Sequence, residues 1–234
     1  MKYELIQTYV RHVHQQCQFV VMAHADLRAA SVRRQQASQL QRKAMRAGDT
    51  ATGRDAKRMS DDADRELWYA AQALMAAVAN VDKTLWLKRG KSQQAREPVR
   101  AALGVEDDST STEVAREIRN HIEHYDDNIN KWAKSSEGLK IEVIGPTPRI
   151  TGHTSKVRWR GYDPATDTIS FWGLSVELSP IEQEARRLIP IAEDILSVCP
   201  QCMDEGKEHV MSPVEPGFPA AYDPQGSSAE DGRT

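Results

Sequence analysis

Two stretches near the start of the chain carry apolar residues at alternating intervals of four and three, and this spacing limits the fold more than any other feature. Ile6, Val10, Val13, Cys17, Val20 and Leu27 form the first stripe, over residues 3–27, with His24 filling its one gap. Ala63, Leu67, Ala70, Leu74, Val78, Val81 and Leu85 form the second, over residues 61–87. Such a period places each set on one face of an α-helix. Two long helices of this kind bury their stripes against each other, which predicts an all-α antiparallel bundle. Leu, Ile, Val and Phe supply 44 of the 234 residues, so the core is diluted by polar segments. The net charge of −3 argues against a surface that is basic all round but leaves a local basic patch open. No apolar run reaches eighteen residues, no basic-then-apolar leader opens the chain, and three cysteines make no disulfide framework. A cytoplasmic location without membrane association is the expectation.

Between the two stripes, residues 33–60 hold eight Lys and Arg against Asp49 and Asp55. This segment reads as a polar helical extension or a loop, and as either a solvated connector or a basic arm for nucleic acid. A short helix is predicted over 97–103, with Pro98 in its first turn and Gly104 closing it. Thr110 and Glu113 then form a capping box for a helix reaching about Lys134. Its apolar face holds Val114, Ile118, Ile122, Tyr125, Ile129 and Trp132. Residues 139–178 change character. A short strand is predicted at 141–144, and a β-hairpin turns at Asp163-Pro164-Ala165-Thr166-Asp167. Ser179, Pro180 and Glu182 are set as N-cap, N1 and N3 of a last helix that runs to about Val198. The expected organisation is a helical bundle over 1–198 with a hairpin insert at 139–178. A largely disordered tail at 199–234 follows.

The capped helix contains the densest group of titratable side chains, Arg119-Asn120-His121-Ile122-Glu123-His124. At about 100° per residue, Asn120 and His124 share a face, and Arg119 lies about 140° round from His124. Such a trio suits RNA cleavage without a metal. His can exchange protons with the 2′-hydroxyl and the leaving oxygen, and Arg can hold the charge building on the phosphate. Asn can orient either of them. The same residues also read as plain i,i+4 pairs, Arg119 with Glu123 and Asn120 with His124.

Arg119-Asn120-x3-His124 resembles the Rx4–6H motif of the HEPN superfamily, whose Arg is typically followed by Asn, Asp or His. The order of helices over 1–198 is similar to that family as well. The resemblance implies a HEPN-like bundle that dimerises, with the motif helices of two subunits facing each other across one composite site. It implies a metal-independent endoribonuclease, of the kind that serves as a toxin or defence effector. RNA, a second copy and an antitoxin or regulatory protein are the implied partners. Arg119 would stabilise the phosphate, Asn120 would be the polar residue beside it, and His124 would be the acid or base. No cofactor and no metal is implied. The alternative within the same resemblance is a non-catalytic scaffold or interaction module. Tyr125 follows His124 directly, unlike the Arg-x4-His-x-Tyr of a toxin branch, so that branch's partner nucleotidyltransferase is not implied.

Other candidates are weaker. Cys199-Pro200-Gln201-Cys202 could contribute two zinc ligands, form a redox pair, or end a helix inertly. His14 and Cys17 stand one turn apart, but Cys17 belongs to the apolar stripe and reads as a small buried hydrophobe. His24 reads as a satisfied core or interface histidine. The five tryptophans read as packing residues, with Trp159, between Arg158 and Arg160, the one candidate for base stacking.

Overall fold

The computed structural model describes residues 3–86, 96–105, 110–124, 141–144, 158–171 and 173–198. Helix α1 spans Tyr3–Ala47 and α2 spans Thr50–Leu85, far longer than the apolar stripes alone required. The basic connector is therefore helical, and only Gly48 and Asp49 separate the two helices. Arg, Lys, Gln and Ala are good helix formers, so a polar segment rich in them continues the helix when a partner covers one side. The partner contact is built from alanine at heptad spacing. Ala23, Ala30, Ala37 and Ala44 on α1 and Ala56, Ala63, Ala70 and Ala77 on α2 are all buried. Methyl-sized side chains let the two backbones run close together. At the turn, Gly48 takes φ +70°, open to glycine at no steric cost. The Asp49 carboxylate then caps α2, accepting from the amides of Ala51 (3.2 Å) and Thr52 (3.0 Å). Cross-helix pairs Arg33–Glu66 (2.6 Å) and Arg34–Asp64 (2.5 Å) flank the seam.

Helix α3, Glu97–Leu103, has Pro98 in its first turn and ends at Gly104 with φ +61°, as its sequence predicts. Helix α4, Thr110–Glu123, packs against α2 through Ala115 and Ile118. Its Arg116 pairs with Asp82, a buried carboxylate of α2. The predicted continuation of α4 to Lys134 and the side chains of the capping box lie outside the described residues.

The insert is larger than the predicted hairpin. Strands β1 (Ile141–Ile144), β2 (Arg158–Asp163), β3 (Thr168–Phe171) and β4 (Leu174–Glu177) form one sheet in that order. β1 runs parallel to β2, and the other pairs are antiparallel. The 163–167 turn joins β2 to β3 where the sequence placed it, but β4 was not foreseen. Ile169, Phe171 and Val176 turn inward from the sheet. The last helix, α5, spans Leu178–Ser197 and lies along α1. It begins one residue before Ser179, with Glu177 as N-cap and no side-chain cap bond. Ser179 is not the cap because its hydroxyl is committed elsewhere, to Asp167 at 2.6 Å. The molecule is thus mostly helical with a small sheet. No helix among the described residues is long and apolar enough to cross a membrane. The 199–234 segment lies outside the described residues, as do Cys199 and Cys202.

Candidate functional site

Helix α4 is two-faced. Ile118 is fully buried on its inner side, and Ile122 is half-buried there. Both line a cavity of about 390 Å³ shared with Trp68, Arg160, Ile169 and Phe171. Arg160 stacks over the Trp68 ring, 4.3 Å from its centroid. On the outer side Asn120 and His124 are exposed, one turn apart. The amide of His124 donates to the Asn120 carbonyl at 3.1 Å. Arg119 is turned differently. Its guanidinium pairs with Glu123, and its Nε is buried with no hydrogen-bond partner among the described residues. The fold therefore brings Asn120 and His124 together and holds Arg119 at the rim, on Glu123. Val114, on the same inner side, packs partly buried against the core, whereas Tyr125, Ile129 and Trp132 of the predicted apolar face lie outside the described residues.

The densest polar network lies elsewhere, where the sheet meets α1 and α5. Asp167 closes the β2–β3 turn with φ +50°, an uncommon conformation for a residue with a side chain. Its carbonyl accepts from the amide of Leu178 at 2.9 Å, tying the turn to the start of α5. Its buried carboxylate accepts from four side chains: His24 Nε2 (2.9 and 3.1 Å), Tyr162 (2.9 Å), Ser179 (2.6 Å) and Arg28 (3.3 Å). The other ring nitrogen of His24, Nδ1, faces Glu182 at 3.3 Å, and Glu182 also takes Arg186 at 2.7 Å. Burial pushes the Asp167 carboxyl up. The bonds from Ser179, His24 and Tyr162, with the charge of His24, together outweigh it and hold the group below the ordinary range. Burial and the same bond push the Tyr162 phenol up. Both carboxylate oxygens of Asp167 thus face protein donors, and the cluster clamps the turn to α1 and α5.

The remaining candidates resolve as follows. His24 is buried and satisfied, as expected; the sequence marks its partner Asp167 only as a turn residue, and nothing local links the two. Cys17 is buried among the apolar stripe, and burial, with the nearby Glu184 charge, pushes its thiol up to about 12. His14 pairs with Glu193 at 3.1 Å rather than with Cys17. Among the described residues no group of three or more His, Cys, Asp and Glu is placed to hold a metal ion. In the basic connector Arg33, Arg34, Lys57 and Arg58 each pair with a carboxylate. The Trp159 side chain lies outside the described residues.

The chain matches no family model, no curated protein and no solved structure. Its function is argued from the site alone.

Proposed function

We propose that the outer face of α4 acts on RNA, as a metal-independent endoribonuclease of HEPN type, with Arg119 and His124 from two copies sharing one site. The observation that carries this reading is the exposure of Asn120 and His124 together on one helical turn. A general acid–base group must reach its substrate, and an imidazole at a helix end, clear of the core, can do so. Arg119 stands beside that face with its guanidinium paired to a half-exposed carboxylate, Glu123, which a phosphate could displace. In this reading His124 moves a proton at the 2′-oxygen or the leaving 5′-oxygen. Arg119 balances the charge that develops on the phosphate, and Asn120 orients the nucleotide or the imidazole. Toxin or defence activity, with a protein that restrains it, would follow from such chemistry.

A second reading is a non-catalytic interaction module on the same scaffold. One observation favours it: Arg119 is engaged by Glu123 instead of pointing along the Asn120–His124 face. RNA cleavage in EDTA by the wild type, Arg119→Ala and His124→Ala separates the two. The nuclease reading expects cleavage by the wild type and a loss of at least about a hundredfold in each variant. Equal cleavage by all three, or by none, rejects it and leaves the interaction module.

A further inference from the structure

Beyond the main core the two long helices continue as an arm. That core reaches Ala30 on α1 and resumes at Leu67 on α2, and the arm is closed by the buried Ala37, Ala44, Ala56 and Ala63. From Ala30 to Ala47 it is about 25 Å long. Its charge is lopsided. With eight basic residues against two acidic ones, residues 33–60 carry +6; the whole chain carries −3, so the remainder carries −9. From Leu27 to Gly48 there are six basic residues and no acidic one. Arg28, Arg33 and Arg34 are committed to Asp167, Glu66 and Asp64. Arg42, Lys43 and Arg46 have no carboxylate partner among the described residues. Asp49, the next acid along the chain, caps α2 and accepts from the Thr52 hydroxyl at 2.6 Å.

These three cations share a face. Gln35, Gln36, Gln39, Arg42, Lys43 and Arg46 fall within an arc of about 120°, at about 100° per residue, on the side of α1 opposite Ala37 and Ala44. All six are exposed, and no other residue between 35 and 46 falls in that arc. The face is therefore made of amides and cations alone. The α2 side of the arm differs: there Lys57 pairs with Asp61 at 2.7 Å and Arg58 with Asp55 at 3.6 Å. Arg42 and Arg46 stand one turn apart, where like charges weaken a helix unless a counter-charge arrives from outside.

Arg and Lys hold phosphates, and Gln bonds phosphate and sugar oxygens. From Gln35 to Arg46 the face is about 17 Å long, the span of about five phosphates on one strand of a duplex. A membrane surface fits less well, because a helix lying on lipid sinks an apolar face into it. The apolar neighbours Leu40 and Met45 fall outside the arc and flank the alanine seam instead. We infer that the outer face of α1 between Gln35 and Arg46 binds the phosphodiester backbone of nucleic acid. The inference does not rest on the nuclease reading, because α4 packs on α2 and the sheet and this face belongs to α1.

Fluorescence anisotropy of the full chain with labelled probes of about 20 nucleotides tests it. One probe is 2′-O-methyl RNA, which has no 2′-hydroxyl to attack its own phosphate, and the other is DNA of the same sequence. The face meets backbone and not bases, so the wild type is expected to bind both, within about tenfold of each other, and more weakly as salt rises from about 50 to 200 mM. Arg42→Gln/Arg46→Gln is expected to weaken binding at least tenfold at about 50 mM salt and to lower the slope of log affinity against log salt by about 1.5. Arg11→Gln/Lys83→Gln removes as much charge from exposed positions elsewhere and is expected to bind within about twofold of the wild type. Circular dichroism checks that each variant stays helical. No binding to either probe overturns the inference. So does an arm variant that binds like the wild type, or an Arg11/Lys83 variant that binds as weakly as the arm variant. Capture by vesicles of about 30% phosphatidylserine, with both probes unbound, assigns the face to a lipid surface and overturns it as well. Intact binding with no cleavage of ordinary RNA supports the arm and rejects the nuclease reading, so the two fail separately.

Discussion

His24 and His124 each sit on a helix beside carboxylates and polar groups, and the two settings differ in almost every physical respect. His24 is 1% exposed, and its ring nitrogens face Asp167 of the β2–β3 turn and Glu182 of α5. His124 is exposed on α4, and its backbone amide donates to the Asn120 carbonyl. Buried polar groups are kept only where their bonds are complete, because an orphaned one costs the full desolvation penalty. The Asp167 cluster obeys that rule and joins β3, α1 and α5. The α4 face leaves its groups to solvent, so it contributes little to stability and is available for chemistry. Density of titratable residues marks both places, and solvent access separates them.

The largest test removes the centre of the clamp. Asp167→Ala leaves His24 and the Tyr162 and Ser179 hydroxyls facing a void, and its expected cost is about 3–5 kcal/mol by urea unfolding. His124→Ala is expected to change stability by less than about 0.5 kcal/mol. Similar costs for the two would erase the distinction.

The same carboxylate gives a pH signature. Its folded-state pKa lies below the unfolded value, so its contribution is fully present above the unfolded pKa, about 3.9. It is lost as pH falls through the folded value. Unfolding free energy is expected to fall below about pH 4, and more steeply in the wild type than in Asp167→Asn. Equal acid slopes in the two proteins would mean that Asp167 is not held ionised by its donors.

Much of this architecture was legible because helices announce themselves locally. The 4-3 stripes of α1 and α2, and Pro98 and Gly104 around α3, are short-range signals that survived folding. The connector was ambiguous because alanine at every seventh position is weakly apolar, and its effect depends on a facing alanine far along the chain. β4 was missed because Leu174-Ser175-Val176-Glu177 is four residues long and follows a glycine. The Ser179 cap failed for a non-local reason, the competing bond to Asp167. In the candidate site, the spacing of Arg119, Asn120 and His124 gave both the shared face and the Arg119–Glu123 pair. The Asp167 clamp was not legible, since 143 residues separate His24 from its partner and only the docked sheet brings them together.

Solvent access also predicts reactivity. Diethyl pyrocarbonate at neutral pH, followed by peptide mass spectrometry, is expected to modify His124 at least tenfold faster than His24. Cys17 offers a control within the buried set: with its thiol pushed up to about 12, alkylation by iodoacetamide at pH 8 is expected only on unfolding. Rapid modification of His24 or Cys17 in the native protein would show that the core around them opens readily.

The smallest expected effect is the most useful for reading α4. Arg119 and Glu123 form an i,i+4 pair on a helix surface, where such pairs couple by about 0.3–0.5 kcal/mol. A double-mutant cycle with Arg119→Ala and Glu123→Ala measures that coupling by denaturant unfolding. A value in this range means that Glu123 releases the guanidinium at little cost, so a phosphate can compete for it. Glu123→Gln should then raise RNA affinity at low salt by a fewfold, since a competing carboxylate has been removed from beside the arginine. A coupling above about 2 kcal/mol would instead make the pair a structural bond. Arg119 would be locked away from the Asn120–His124 face, and the interaction-module reading would gain at the expense of the nuclease.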